Sequence, residues 1–189
     1  MNSQEIEKQI VDVLVDAAGK AFDDLKKNHN EKFYYYTFIM DDCCTPYISA
    51  VSEETFNTLL SDINRDDYDS EESYKNDYLM CKWSFADTPY CAYGYDEYFG
   101  DVEKLFTERT DSIAEDDDIG FENEIQLWLN SMEKAMKILD DKKVFGDRDE
   151  NTDVFINAEF VPEDDSNNTR GKNLNPTKIF EKWLSETEA

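Results

Sequence analysis

Apolar residues recur at intervals of three and four along two long stretches of the chain, and this spacing predicts amphipathic helices. The first helix is expected over residues 6–25, with Asn2 or Ser3 available as its N-terminal cap. The second, over residues 121–139, follows an acidic loop and has the clearest pattern. Three shorter helices are expected over residues 53–63, 95–109 and 175–187.

Aromatic and β-branched runs that lack this periodicity predict strands. Residues 33–40 form such a run, and a turn that includes Pro46 separates it from a second run at 47–51, so we expect a hairpin. Two further strands are expected over residues 78–83 and 154–161. We interpret residues 64–77 as a polar connection and residues 162–174, with their Asp, Ser, Asn and Gly, as a mobile loop.

The order of these elements favours one domain of the α+β class spanning residues 1–189, since neither a repeat nor a long linker interrupts it. We expect a small, mainly antiparallel sheet packed with about five helices. A chain of this length, with 40% hydrophobic residues, can bury a core without disulfide or metal support. The polar N-terminal segment lacks a signal-peptide pattern, which predicts a cytoplasmic protein.

The strongly negative net charge of the chain excludes some classes of binding partner. The 45 acidic residues against 19 basic ones leave a formal net charge of −26. Such a chain is repelled by the phosphates of nucleic acids and by anionic membrane surfaces, so we expect neither as a partner. A basic protein is the partner that this charge favours.

The acidic residues are grouped along the chain, and grouped charges on loops accelerate encounters with a basic partner. A tyrosine-rich segment at residues 90–98 adds the large, rigid contact area that is typical of interfaces. Solubility alone would also explain acidic loops, and core packing would also explain some of the tyrosines. The candidate partner-binding residues are Asp66, Asp67, Asp69, Glu71, Glu72, Tyr90, Tyr93, Tyr95, Asp96, Glu97, Tyr98, Glu115, Asp116, Asp117 and Asp118.

Residues suited to catalysis are few. His29, the single histidine, lies in a polar segment between two predicted elements, where a solvated role is expected. The four cysteines include the adjacent pair Cys43 and Cys44 but no C-x-x-C pair, which favours reduced thiols over a zinc site. The six glycines form no phosphate-binding pattern. We therefore predict no catalytic residues and no cofactor.

Residues 147–153 carry Asp or Asn at alternate positions, as in the first half of a calcium-binding loop. Thr152 stands where that loop requires glycine, and Ala158 stands where it requires a bidentate acid. We therefore predict no dedicated metal site, and weak cation binding stays an open alternative.

Several segments of the chain follow a family pattern. They are the aromatic run 33–38, Thr45-Pro46-Tyr47 to Val51, Ser52 to Phe56, Lys82-Trp83-Ser84, and Tyr98-Phe99-x-x-Val102-x-x-Leu105. This succession resembles the bacterial family of the domain of unknown function 4303. Members of that family are similar to immunity proteins encoded beside polymorphic toxins, so the resemblance implies a binding protein. It names no catalytic residue, and it implies a structural role for Trp83 and Ser84.

The leading hypothesis is a non-catalytic, acidic immunity or inhibitor protein that neutralises a basic toxin, such as a nuclease, by covering its active surface. Two alternatives remain. One is an acidic adaptor or structural subunit without a toxin partner, and the other is an enzyme that depends on carboxylates or a divalent cation.

Overall fold

A computed structural model describes residues 2–41, 45–162 and 165–187. The helices are α1 (Ser3–Asn28), α2 (Glu53–Asp62), α3 (Glu71–Trp83), α4 (Tyr95–Tyr98), α5 (Gly100–Thr110), α6 (Asp118–Asp141), α7 (Asp165–Leu174) and α8 (Thr177–Thr187), with a 3₁₀ turn at Arg65–Asp67. The strands are β1 (Phe33–Asp41), β2 (Tyr47–Ser52) and β3 (Phe155–Val161). The α+β class is confirmed. None of the described helices combines the length and the hydrophobicity that a membrane span requires.

The sheet has three strands in the order β2-β1-β3. The β1–β2 hairpin is confirmed as antiparallel, with Phe38 opposite Ile48. Strand β3 pairs with β1 in parallel, with Phe38 opposite Ala158, so the expectation of a mainly antiparallel sheet is wrong. Helices α2 to α6 lie between β2 and β3. A connection of that length can return the chain to the end of the sheet at which β1 begins, as parallel pairing requires.

Helices cover both faces of the sheet, which explains why residues 33–40 are buried without alternation. On one face, α1, α5 and α6 pack against alternate strand residues such as Phe38 and Ala158. On the other face, α2, α3 and α8 pack against Tyr35 and Phe155. Helix α1 begins at a capping box, in which the Asn2 side chain accepts a hydrogen bond from the Glu5 N–H.

Three predicted segments differ in kind from the structure. Residues 71–77 of the predicted polar connection and the predicted strand 78–83 together form α3, because Leu79 and Trp83 bury one helical face and Ser70 caps the N-terminus. Residues 165–174 form α7 rather than a mobile loop, and residues 163–164 of that prediction lie outside the described ranges. The buried positions of α7 recur at helical spacing but are mostly polar, so a hydrophobic pattern does not reveal them. They are Asn167, Arg170, Gly171 and Leu174.

The remaining helices follow the predictions more closely. The predicted helix 95–109 is divided at Phe99 into α4 and α5, and the terminal helix begins at Thr177. The expectation of about five helices is too low, since the described residues contain eight. The adjacent cysteines Cys43 and Cys44 lie outside the described residues.

Candidate functional site

The first acidic group is presented by the 3₁₀ turn and the N-terminus of α3. The Asn64 side chain accepts a hydrogen bond from the Asp66 N–H at 3.2 Å and so fixes the turn. The Ser70 hydroxyl accepts from the Ser73 N–H at 3.0 Å and caps α3. The candidate residues of this group are all exposed, and we refer to them as the α3 acidic surface. They are Asp66, Asp67, Asp69, Glu71 and Glu72.

A single arginine lies within the α3 acidic surface. Arg65 forms an ion pair with Glu71, and its guanidinium lies 5.2 Å from the centre of the Tyr74 ring. Tyr74 packs edge-on against Tyr68, with ring centres 5.5 Å apart. These contacts order the turn, and they leave most carboxylates of the surface directed to solvent.

The second acidic group precedes α6 on the opposite layer. Residues 115–118 are exposed, and Asp117 caps α6 by accepting a hydrogen bond from the Gly120 N–H at 2.9 Å. A carboxylate at this position also stabilises the helix through its dipole. Asp117 therefore has a structural role, while Glu115 and Asp116 before the helix and Asp118 at its first position are exposed without such a role; we refer to residues 115–118 as the acidic loop.

Two large apolar side chains are exposed, one near the C-terminal end of α3 and one beside the second acidic group. Met80, on α3, is 69% exposed, and Ile119, directly after the acidic loop, is 72% exposed. These are the large hydrophobic side chains most open to solvent in the part of the chain that the structure describes. An apolar centre bordered by charged groups is the arrangement found in protein interfaces.

The tyrosine-rich segment is mostly packed inward. Tyr90 is 5% exposed and belongs to the main core, and Tyr93, Tyr95 and Tyr98 are half-buried against it. The Tyr93 hydroxyl donates to Asp24 at 3.0 Å. Packing therefore accounts for these four rings, and a contact role for them stays a prediction. Within this group only Asp96 and Glu97 are exposed.

Tyr90 lies at the centre of a hydrogen-bonded network that the sequence alone does not reveal. Its hydroxyl donates to Glu31 Oε1 at 2.5 Å and lies 3.1 Å from His29 Nδ1. The other Glu31 oxygen accepts from the Ser52 hydroxyl at 2.5 Å. Burial and, secondarily, the Glu31 carboxylate raise the pKa of Tyr90 well above its ordinary value. His29 is thus held by Tyr90 rather than solvated alone.

We expect Tyr90→Phe to lower the free energy of unfolding by about 1–3 kcal/mol, because Glu31 would lose a donor while remaining partly buried. Urea unfolding followed by circular dichroism measures the change. Tyr95→Phe is the matched control, since it removes a hydroxyl from the same segment at a ring that stacks on Phe99. Equal losses for the two variants would contradict a specific role for the network.

A cleft of about 720 Å³ opens between α3, α8 and the start of α7, and we refer to it as the α3–α8 cleft. Trp83, Trp183 and Met80 contribute to its walls, and Tyr35 and Glu159 line it from the sheet. Glu159 is 5% exposed, and its carboxylate accepts from the Thr37 hydroxyl at 3.3 Å. Volumes of this size are typical of ligand-binding pockets.

The sequence pattern alone does not predict Glu159 as a site residue. The available signal is the period of two in β3, where Asn157 and Glu159 interrupt an otherwise apolar strand on one face. Trp83 combines core packing with a place in the cleft wall. Its neighbour Ser84 donates to Asp87 at 2.7 Å and so fixes the chain after α3.

The segment 147–153 is organised by a buried arginine. The Arg148 side chain is 1% exposed and pairs with Asp140 of α6 at 2.7 Å. It also donates to the Val154 carbonyl at 3.2 Å and to the Asn175 side chain. A cation supplied by the chain therefore lies beside these alternating acids. Within the described ranges, no cluster of three or more potential metal ligands occurs.

The described thiols are poorly suited to nucleophilic catalysis. Burial raises the pKa of both Cys81 and Cys91, and nearby Asp87 acts in the same direction on each. A raised pKa keeps a thiol protonated at neutral pH, and the thiolate is the reactive form.

The fold and these surfaces define an α+β protein with two acidic surfaces and one aromatic, carboxylate-bearing cleft. The family model named "Domain of unknown function (DUF4303)" matches residues 14–176, so the chain belongs to that family. This match confirms the resemblance inferred from the sequence.

Two curated proteins are similar to a smaller part of the chain. Both are D-alanyl carrier proteins, from two strains of Lactobacillus delbrueckii subsp. bulgaricus. Each is 35% identical over 68 residues, which are 35% of this chain and 80% of the carrier protein. No solved structure matches the chain.

Proposed function

We propose that this protein is a non-catalytic immunity or inhibitor protein of the cytoplasm, which neutralises a basic toxin, such as a nuclease domain, by covering its active surface. The observation that carries the proposal is the pairing of exposed apolar side chains with grouped carboxylates. Ile119 follows the second acidic group directly, and Met80 is exposed on α3 about 12 Å along the helix axis from Glu72. Exposed apolar anchors with charged borders provide both affinity and orientation in an interface.

The mechanism follows from charge and occlusion. A nuclease holds phosphates with lysine and arginine side chains, so its active surface is complementary to grouped carboxylates. Long-range electrostatic attraction brings the α3 acidic surface to the active surface of the nuclease. Burial of Met80 in the interface then slows dissociation. Substrate is excluded because its phosphate sites are covered.

The α3 acidic surface is the stronger of the two candidate surfaces. It combines five exposed carboxylates with a single arginine, and Met80 is exposed further along the same helix. In the loop before α6, Asp117 is partly occupied by capping the helix. A partner that contacts the α3 acidic surface therefore meets more carboxylates without a structural role than one that contacts the acidic loop before α6.

Affinity capture of the tagged protein from its native cells tests the proposal. The capture is made at low salt, and proteins released by raised salt are identified by mass spectrometry. We expect one basic polypeptide that is bound by the wild-type chain and by a Glu115→Lys/Asp116→Lys variant, and is lost with Asp66→Lys/Asp67→Lys. Recovery of a housekeeping complex, or of no basic protein from cells that express the neighbouring genes, would contradict the proposal.

A further inference from the structure

We propose that a groove between α1 and α6 is the interface through which two copies of this chain associate. The groove consists of two adjoining cavities of about 640 and 440 Å³, which share Asp12 and Ile138. We refer to it as the α1–α6 groove. The inference does not depend on the proposed function, because α1 and α6 lie on the face of the sheet opposite α3.

The groove is long and has a defined position in the fold. Glu7 and Lys134 form an ion pair at 2.5 Å near one end, and the Lys26 ammonium donates a hydrogen bond to the Val144 carbonyl near the other. The lining residues extend along α1 from Gln4 to Lys26, a distance of about 33 Å along the helix axis. The groove therefore follows most of the length of α1.

The floor of the groove is apolar. Val11 and Val15 of α1 line it together with Ile138 of α6. Val15 and Ile138 are only half-buried within one chain, so each retains apolar surface that a second copy can cover. Removal of such surface from water favours association.

The charge of the groove differs from that of the chain as a whole. Among the described residues, seven lysines and five carboxylates line it, whereas the chain has 19 basic and 45 acidic residues. Two copies that meet through a strongly acidic surface repel each other. At physiological salt, charges beyond a Debye length of about 8 Å are largely screened, so the charges near the contact dominate. The groove therefore lets two acidic chains approach without this repulsion.

The nearest acidic group lies well away from the groove. Asp118, at the end of the acidic loop, is about 24 Å from Lys134 along the α6 axis. This separation is about three Debye lengths at physiological salt. The acidic loops of two associated copies therefore add little repulsion at the groove.

The presence of both charges in similar numbers favours a second copy over a different partner. A two-fold interface pairs one patch with itself, so the patch has to carry both signs. Lys8 pairs with Asp12 at 2.5 Å and Lys20 pairs with Asp16 at 2.6 Å, and all four side chains are at least 58% exposed. Exposed pairs contribute little to stability, so these groups can exchange partners across an interface.

The dimensions of this face also fit a dimer. A stable interface of standard size buries about 800 Å² on each partner. Two neighbouring helices, each about 10 Å wide, present a face of about 20 Å by 33 Å, or roughly 660 Å² in projection. Side chains make the accessible area larger than the projected area, so this face is large enough for such an interface.

Association through the α1–α6 groove leaves the α3 acidic surface accessible. Helices α1 and α6 pack on one face of the sheet, and α3 packs on the other. The two α3 acidic surfaces of a dimer therefore face away from the interface. A dimer would bind two basic partners.

Analytical ultracentrifugation of the purified protein, from about 1 to 200 μM at about 0.15 M salt, measures self-association. We expect the mass to rise with concentration toward twice that of one chain. Ile138→Glu places a carboxylate on the apolar floor and should raise the dissociation constant about 100-fold, because a tenfold loss occurs once for each copy. Ile119→Glu makes the same change at an exposed position outside the groove and should leave the constant unchanged.

A second variant tests the charge balance without altering the floor. Lys137→Glu/Lys142→Glu changes two exposed lysines of the groove, and we expect it to be monomeric over the same range. Lys75→Glu/Lys104→Glu changes the net charge equally at exposed positions of α3 and α5. This control should associate as the wild-type protein does.

A wild-type chain that stays monomeric over this range would overturn the inference, as would a dimer that persists in both groove variants. If circular dichroism shows that Ile138→Glu does not fold, the exposed lysine variant decides. A monomer whose capture of the basic partner is lost with Lys137→Glu/Lys142→Glu would also overturn it, and would assign the groove to that partner.

Discussion

Replacing Arg148 by methionine should lower the free energy of unfolding by about 3–5 kcal/mol, a large part of the stability of an ordinary domain. The side chain is 1% exposed and joins three parts of the chain: Asp140 at the end of α6, Val154 before β3, and Asn175 between α7 and α8. Methionine preserves most of the volume and removes every polar contact. Asp140 and the carbonyls would then remain partly buried without their donor.

Urea unfolding at neutral pH measures this loss. Lys20→Met is the matched control, because it removes one positive charge from a pair with Asp16 in which both side chains are exposed. An exposed pair contributes about 0–1 kcal/mol, so the control should unfold almost as the wild-type protein does. If the Arg148 variant lost no more stability than the control, the packing of α6, β3 and the α7–α8 connection would not depend on this arginine.

Reversing three charges of the α3 acidic surface should slow association with the captured partner by roughly 10- to 1000-fold at low salt. The variant is Asp66→Lys/Asp67→Lys/Asp69→Lys, and all three side chains are exposed. The steering that these carboxylates supply would become repulsion. Stopped-flow or surface-binding kinetics over a range of salt concentrations measure the rate constant, and the difference should shrink as salt rises.

The control for this experiment changes the net charge equally at another surface. Asp101→Lys/Glu103→Lys/Glu108→Lys places the same charges on exposed positions of α5. Similar rates for the two triple variants would mean that net charge alone drives association. A rate that is independent of salt for the wild-type protein would contradict electrostatic steering altogether.

The hydrophobic pattern predicts the elements that bury an apolar face. Helices α1 and α6 are examples, since their apolar positions follow the helical period, and the strands are indicated by continuous aromatic and β-branched runs. It does not predict α7, whose buried positions include Asn167 and Arg170. These polar residues are buried because Asn167 bonds the Phe160 backbone and Arg170 bonds the Ala158 carbonyl. Such bonds depend on tertiary position.

The exposed acidic residues of the candidate site could also be predicted from the sequence. Grouped acids on polar segments identify exposed surfaces, and the residues of the α3 acidic surface are all exposed. The tyrosine-rich segment could not be assigned from sequence, because tyrosine suits both cores and interfaces; Tyr90 is buried in the core. The α3–α8 cleft joins Trp83, Glu159 and Trp183, which are distant in sequence, so only the fold brings them together.

The most direct test of the central claim is a growth measurement. The captured basic polypeptide is expressed in bacteria from an inducible promoter, alone, with the wild-type chain, or with the Asp66→Lys/Asp67→Lys/Asp69→Lys variant. We predict that the polypeptide stops growth, that the wild-type chain restores growth, and that the variant at equal abundance does not. A polypeptide that is harmless alone, or toxicity that the wild-type chain leaves unchanged, would contradict an inhibitor function.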